Sequence, residues 1–340
     1  MTRAVVLAVL LVSVTIWTHR SAWTADWVYE DRATLASSER ASLTSGRPLS
    51  SWTWRLTPDP RSAHLVSLTL HLLIGLGVGL LAWKVGLTPF GAWVAAMLWL
   101  LMPLTVESAA YAKARADQLA IGGALIACLS ALGRWWTLPR LAGLIGGLVV
   151  ACGAKQAGVV AFTLVPLMAW HVRAQTAPRW ARWWLPAIVA SVVLTSGVFW
   201  YGGPRALVNA DSEAGISLAS DVTGFQWLSA QCGAVWYWMM ASLWPRLLTP
   251  DVDVDRLSGM ARGMGGFALL VAAGAWWRYR VRWPVVSVAC GWCVLSLFPR
   301  LLIQTPRSYL NAAQVAGAFV GGCLLAGVVA DLAKTRWRTT

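Results

Sequence analysis

The sequence predicts an all-α fold, a polytopic bundle of transmembrane helices that forms a single domain over residues 1–340. Hydrophobic residues make up 58% of the chain and charged residues only 12%, and the mean hydropathy is +0.59. A soluble domain needs a more charged surface, whereas a helix that crosses a bilayer needs about 20 predominantly apolar residues. Stretches of that kind recur along the chain. We therefore expect an integral, multi-pass membrane protein.

The first 62 residues combine a short apolar run with a long polar loop. Residues 4–17, after Arg3, predict a retained first helix, with a cleaved signal peptide as the alternative. Residues 18–62 predict a first outer loop in which aromatic and aliphatic residues interleave with polar ones. This interleaving favours interfacial helices over disorder.

Apolar stretches then predict the membrane crossings in order. They lie at 63–83, 88–106, 116–133, 140–153, 156–171 and 184–201, and near the C-terminus at 263–277, 284–299 and 308–332. The shortness of two neighbouring stretches indicates a helix broken around Lys155. Residues 202–262 predict an outer connector, in which the apolar segment 225–245 is expected to be re-entrant.

The basic residues determine the predicted orientation. A net charge of +14 would favour nucleic-acid binding if the basic residues formed a continuous surface. Here the basic residues lie in short connectors between the apolar stretches. The basic residues assigned to the cytoplasmic side are Arg3, Lys84, Arg134, Arg140, Arg173, Arg179, Arg182, Arg278, Arg280, Arg282, Lys334, Arg336 and Arg338. Asp331 is the one acid assigned to that side. We expect about 10 crossings with both ends cytoplasmic, or about 11 if 225–245 also spans, and no nucleic-acid partner.

Tryptophan and cysteine usage indicates no metal or redox site. The 24 tryptophans are predicted to lie mostly near membrane interfaces, Trp54 among them, because indole rings favour that region. The six cysteines lie in or beside apolar stretches, and Cys290 and Cys293 share a predicted helix. Neither a zinc site nor a disulfide framework is indicated.

Ionisable residues from three segments are predicted to meet in one water-filled cavity on the outer face. The residues are Glu30 and Asp31 in the first segment, Glu107, Lys113, Arg115 and Asp117 in the second, and Arg307 and Tyr309 in the third. Charged side chains at membrane depth are costly and usually face a wet cavity. A carboxylate can take the proton from an attacking hydroxyl while Arg or Lys holds a phosphate leaving group. The alternatives are solvated charges in the first segment, a structural ion-pair cluster in the second and an interface anchor in the third.

Three further polar residues lie within or between apolar stretches. His64 and His71 are seven residues apart on one helical face, and we expect them to pack rather than to bind a ligand. Lys155 lies in the predicted helix break, where it is either functional or extends its amine to the interface.

Short motifs along the chain resemble those of a known membrane family. The motifs are Arg47–Leu49, His64–Val66, His71–Leu73, Pro103–Tyr111, Arg115–Asp117, Ala154–Gln156, Leu243–Pro245, Leu247–Asp251 and Arg307–Leu310. In this order they look like the membrane portion of the transmembrane and tetratricopeptide-repeat O-mannosyltransferases, members of the GT-C glycosyltransferase superfamily. The resemblance covers nearly the whole chain.

This resemblance implies a GT-C-like fold and a glycosyltransferase activity. The implied reaction moves a sugar from a polyprenyl-phosphate donor to a hydroxyl of a protein or glycan on the outer side of the membrane. It implies Asp31 as the catalytic base, with Glu30 beside it, and Glu107 as the residue that orients the acceptor or an arginine. No cofactor beyond the lipid-linked donor is implied, and a divalent metal stays open.

The same resemblance implies how the donor is held and where the protein resides. Arg115, with Lys113 and Asp117, is implied to bind the donor phosphate, and Arg307 and Tyr309 to close the site. The implied partners are membrane lipid, the lipid-linked sugar and the acceptor, and the implied location is a bacterial plasma (inner) membrane.

Departures from the family's motifs support a second hypothesis. The family commonly has two aspartates at Glu30–Asp31, His-Pro at Met102–Pro103 and an acid at Gln156, and these 340 residues show no tetratricopeptide repeat. The alternative is therefore a catalytically silent GT-C-like scaffold, with other membrane subunits as partners.

Overall fold

The structure is a computed structural model that describes residues 2–21, 26–27, 48–110, 112–132, 137–173, 224–244, 257–279, 282–302 and 312–337. Over these residues the chain is helical and contains no strand, so the all-α prediction is confirmed. Two helical stretches among them, Pro60–Lys84 and Val315–Thr335, are long and apolar enough to cross a membrane by length and composition.

The described residues form twelve α-helices. They are α1 (Thr2–Thr18), α2 (Pro48–Arg55), α3 (Pro60–Lys84), α4 (Pro89–Leu101), α5 (Pro103–Ala110), α6 (Arg115–Ala131), α7 (Leu138–Ala154), α8 (Ala161–Arg173), α9 (Gly224–Leu243), α10 (Gly259–Tyr279), α11 (Pro284–Leu302) and α12 (Ala312–Trp337). Short 3₁₀ turns at Ala112–Ala114 and Gln156–Val160 precede α6 and α8. Several helices begin with proline, whose missing N–H costs nothing at a first helical position.

Most of the predicted helices are present with similar bounds. α3, α6 and α7 cover the apolar stretches at 63–83, 116–133 and 140–153 to within a few residues. The predicted break is also confirmed, since Lys155 is extended (φ −156°, ψ 145°) between α7 and the next turn. The apolar stretch at 184–201 lies outside the described residues.

Two segments that were predicted to lie in outer loops contain helices. α2 lies within the first loop, most of which is outside the described residues. α9 occupies the segment at 225–245 as one helix of 20 residues. A helix of that length extends about 30 Å, which is the length of a crossing, and this keeps the alternative of about 11 crossings open.

The stretch at 88–106 is not the single helix that was expected. α4 ends at Leu101, Met102 is extended (φ −70°, ψ 130°), and α5 begins at Pro103. Proline has no N–H for a helix hydrogen bond, and its ring disfavours helical backbone at the preceding residue. The apolar composition concealed this break because hydropathy does not register backbone hydrogen bonding.

Helix packing relies on glycines at several contacts, among them that of α6 with α7 and that of α4 with α12. A Cβ on Gly123 of α6 would lie 2.6 Å from the carbonyl oxygen of Gly147 on α7, and the reverse distance is 2.7 Å. α4 and α12 approach in the same way, since a Cβ on Gly91 would lie 2.7 Å from the carbonyl oxygen of Gly327. Small residues that let helix backbones approach closely are typical of helix association in membranes.

The N-terminus of α4 is capped from the far end of the chain. Asp331 on α12 accepts hydrogen bonds from the backbone N–H of Thr88 (2.8 Å) and of Gly91 (3.0 Å), and from the Thr88 hydroxyl. The first N–H groups of a helix have no partner within it, and a carboxylate there also complements the helix dipole. Asp331 therefore joins α12 to the start of α4.

Charged side chains gather at the two ends of α3. Arg115 contacts Ala63 in the first turn of α3, whereas Lys84 is the last residue of that helix. Ala63 and Lys84 are 21 positions apart, which corresponds to about 32 Å of helix. We call the surroundings of Arg115, Asp117 and Lys155 the polar end, and those of Lys84 and Arg282 the basic end.

Candidate functional site

Arg115 lies at the centre of the polar end and is fully buried. Its Nη1 donates to the carbonyl oxygen of Thr53 (3.0 Å) and to the hydroxyl of Thr57 (2.8 Å), and its Nη2 donates to the carbonyl oxygen of Ala63 (3.0 Å). Thr53 lies in the last turn of α2, where carbonyl groups lack helical partners. The planar guanidinium thus joins α6 to α2 and α3.

Trp54 lies against the Arg115 guanidinium. The Cζ atom of Arg115 is 4.9 Å from the Trp54 ring centroid, within range of a cation–π interaction. Trp54 is only 1% exposed, so it packs within the protein, and its predicted depth at the membrane interface stays a prediction. The side chain is buried because it forms the surface on which Arg115 stacks.

Residues 26 and 27 bring the first loop to the same cluster. The Trp27 ring lies 5.8 Å from that of Trp54, and the Trp27 N–H donates to the Asp26 carboxylate at 2.7 Å. His64 Nε2 lies 3.3 Å from the carbonyl oxygen of Asp26. Because a carbonyl can only accept, this nitrogen carries the proton. Residues 26 and 27 are therefore held against the polar end.

Lys155 and Asp117 form a buried ion pair beside Arg115. The Lys155 ammonium contacts both carboxylate oxygens and lies 2.6 Å from Oδ2, and the two side chains are 9% and 12% exposed. Asp117 lies in the first turn of α6, where a negative charge also suits the helix dipole. Lys155 lies in the helix break after α7, and its ammonium reaches Asp117 on α6 from there.

A narrow cavity of about 60 Å³ adjoins Asp117. Its walls come from α6, α8 and the turn before it, α11 and α12, and apart from Asp117 and Ser296 they are apolar. Ligand pockets for small molecules usually exceed about 300 Å³. A cavity of this volume is large enough for water and too small for a sugar.

Two histidines satisfy the backbone at the break after α4. His19 Nε2 and His71 Nε2 lie 3.2 Å and 3.3 Å from the carbonyl oxygen of Leu100, and both side chains are buried. Their ring centroids are 5.3 Å apart in an edge-to-face arrangement. The Thr105 hydroxyl donates to the neighbouring carbonyl of Trp99. His71 is packed, as expected, and it contacts a carbonyl oxygen at the end of α4, next to the helix break.

The predicted site residues divide into described and undescribed ones. Arg115 and Asp117 lie two residues apart on α6 and contact different neighbours. Glu107 belongs to α5 and Lys113 to the turn before α6. The other four, Glu30, Asp31, Arg307 and Tyr309, lie outside the described residues, so the shared cavity stays a prediction.

Sequence reasoning missed the partners that hold the cluster together. Lys155 was singled out, but its pairing with Asp117 was not predicted. Thr53 and Thr57 were not considered at all, and Gln118, whose amide donates to the Ser67 carbonyl at 3.0 Å, was also missed. A cation in a helix break and an acid in a first helical turn are visible in the sequence, although nothing there says that the two meet.

Comparison with family models, curated proteins and solved structures finds no match for this chain. Within the described residues, no group of three or more His, Cys, Asp or Glu side chains is arranged to hold a metal ion. The GT-C resemblance therefore stays a prediction from sequence motifs.

Proposed function

We propose that this chain is a multi-pass integral membrane protein, in the setting of a bacterial plasma membrane. Two long apolar helical stretches support the proposal, as does the exposure of large apolar side chains on them, such as Leu73 (59%) and Val329 (66%). Apolar side chains facing outward from a helix need lipid or a partner to cover them. The glycine contacts between helices are of the kind that lipid-embedded helices use.

The proposed orientation follows from the two ends of α3. The polar end faces outward, and the basic end faces the cytoplasm, where the positive-inside rule expects Lys84 and Arg282. α6 begins and α7 ends at the polar end, which agrees with the direction that this orientation requires of each helix.

We further propose that the protein is a glycosyltransferase of GT-C type that uses a polyprenyl-phosphate sugar. The observation that supports this most is the docking of Asp26 and Trp27 onto His64 and Trp54. Residues 26 and 27 are thus held beside a buried cationic cluster, and the acidic motif Glu30–Asp31 follows them closely in the sequence.

In the proposed reaction, Asp31 takes the proton from the acceptor hydroxyl. The hydroxyl oxygen bonds to the anomeric carbon of the sugar, and the bond from that carbon to the phosphate oxygen breaks. Polyprenyl phosphate leaves with the electron pair, and nearby cations stabilise its charge. Arg115 already donates to three protein acceptors, so a phosphate-binding role requires that it exchange some of them.

Sugar transfer is tested with membranes that contain the protein and a radiolabelled polyprenyl-phosphate sugar, by counting label on acceptor protein. Asp31→Asn should lower the rate by about 10²- to 10⁴-fold, because the amide keeps the shape but cannot act as a base. Glu30→Gln is made alone and in combination, since Glu30 lies next to Asp31. Asp59→Asn, an equivalent change at an exposed acid, is the matched control and should leave transfer unchanged. Equal labelling by wild type and the double variant would overturn the mechanism.

The silent scaffold is the second candidate, and one observation favours it. Arg115 and Lys155 direct their charges to protein groups, which is the arrangement of a structural cluster. A scaffold predicts no labelling by any form, together with membrane subunits that copurify with the wild type and are lost when Arg115 is changed to Ala. Labelling by the wild type would reject it.

A further inference from the structure

The basic end contains a cavity that is larger than the one beside Asp117. It encloses about 520 Å³ between the end of α3, the start of α11 and the last turns of α12. This volume lies within the range of roughly 300–1,000 Å³ that is usual for ligand sites. The cavity lies about 32 Å along α3 from the polar end and belongs to no part of the proposed transfer site.

Two cations line this cavity, and the one acid beside them is engaged elsewhere. Lys84 and Arg282 both contribute to the wall and are exposed. Asp331 also contributes, but its two oxygens accept the hydrogen bonds from Thr88 and Gly91 that cap α4. Neither cation forms an ion pair with a carboxylate in the part of the chain that the structure describes. With two cations and one carboxylate in its lining, the cavity is net positive and favours an anion.

Exposed apolar side chains border the cations. Trp283 and Leu332 line the cavity and are 40% and 45% exposed, and Trp83 next to Lys84 is 54% exposed. The Lys84 ammonium lies 5.0 Å from the Trp83 ring centroid. A small anion in water needs no such apolar border, whereas a phospholipid presents a phosphate joined to acyl chains.

We infer that this cavity binds the headgroup phosphate of an anionic phospholipid, with Lys84 and Arg282 as its two cationic contacts. Basic pockets between helices on the cytoplasmic side are suited to such headgroups. The inference rests on the proposed membrane embedding and not on sugar transfer. Lipid binding is measured without a sugar donor, so failure of one proposal is distinguishable from failure of the other.

The test is native mass spectrometry of the full chain in detergent, titrated with dioleoyl phosphatidylglycerol, dioleoyl phosphatidylcholine or inorganic phosphate. We expect phosphatidylglycerol to bind more tightly than phosphatidylcholine. The double variant Lys84→Ala, Arg282→Ala should bind phosphatidylglycerol roughly 30-fold more weakly, because each cation near an anionic lipid contributes roughly a fivefold factor.

The control is the double variant Arg278→Ala, Lys334→Ala, which removes equal charge from residues that do not line the cavity. It should bind phosphatidylglycerol as the wild type does. If both double variants bind phosphatidylglycerol equally weakly, the lipid is attracted by the overall positive charge and the proposed site is wrong. Equal binding of the two lipids, or binding of inorganic phosphate as tight as that of phosphatidylglycerol, would also overturn it.

Discussion

The first turn and the middle of α6 contact their neighbours through different kinds of interaction. At the first turn, the long side chains of Arg115 and Asp117 extend to acceptors and donors on α2, α3 and the segment after α7. In the middle, Gly123 has no side chain, and the backbone of α7 lies directly against it. α6 is thus held by charged hydrogen bonds at its first turn. At Gly123 it is held by close backbone packing, which the missing side chain allows.

The difference shows how each contact specifies its partner. A buried charge strongly disfavours any arrangement that leaves it unpaired, so the polar end selects one set of neighbours. A glycine contact depends only on shape, and it tolerates any neighbour whose surface fits. We therefore expect changes at the polar end to cost more stability than changes at the glycine contact.

The largest expected effect comes from breaking the Lys155–Asp117 pair. Lys155→Met should lower the free energy of unfolding by about 3–5 kcal/mol, because it leaves the Asp117 carboxylate buried without its cation. The measurement is the midpoint of thermal unfolding in detergent, followed by circular dichroism. The double variant Lys155→Met, Asp117→Leu should recover much of that loss. A double variant no more stable than Lys155→Met would show that the pair is not the source of the effect.

A smaller loss is expected at the glycine contact. A Cβ on Gly147 would lie 2.6 Å from the backbone nitrogen of Ala127, so Gly147→Ala should cost about 1–3 kcal/mol as the helices separate. Gly146 is the matched control, since a Cβ there meets nothing within 4 Å. Gly146→Ala should be neutral or stabilise by up to about 1 kcal/mol through helix propensity. If the two variants unfold at the same temperature, the close approach of α6 and α7 is wrong.

The smallest expected effect lies at Asp59, an exposed acid near the polar end. Hydrogen bonds from the Ser62 side chain and then its backbone lower the pKa of Asp59 from its ordinary value of 3.8. Its folded pKa is depressed, so its contribution to stability is present above the ordinary value and is lost as the pH falls through the folded pKa. Asp59→Asn retains a capping side chain and removes the titration.

The measurement is the difference in unfolding temperature between wild type and Asp59→Asn across pH 3 to 7. We expect the wild type to lose its small advantage as the pH falls below about 4. Asp59→Ala, which lacks the cap, should be less stable at every pH. A difference that grows on acidification would contradict the assignment of Ser62 as the stabilising donor.

The helices could be predicted because the signals for them are local. Apolar length predicted α3, and the gap between two short apolar stretches predicted the break at Lys155. The break at Met102 was not predicted, because the stretch at 88–106 is apolar throughout. The signal for the break is Pro103, which has no N–H for a helical hydrogen bond.

The contacts of the site could not be predicted in the same way. Asp117 and Lys155 are 38 residues apart, and Arg115 and Thr57 are 58 apart. No periodicity connects residues on different helices, so such pairs depend on how the helices pack. The sequence indicated that the first turn of α6 is polar. Only the packing of the helices shows which groups form hydrogen bonds or ion pairs with Arg115 and Asp117.

The cap on α4 by Asp331 has a consequence for the order in which the chain matures. Thr88 is 243 residues ahead of Asp331, so a ribosome adding 5 to 20 residues per second makes the second partner roughly 12 to 50 s after the first. During that interval the start of α4 has only the hydroxyl of Thr88 to accept the Gly91 N–H. The contact that joins α12 to the start of α4 can therefore form only after α12 has been made.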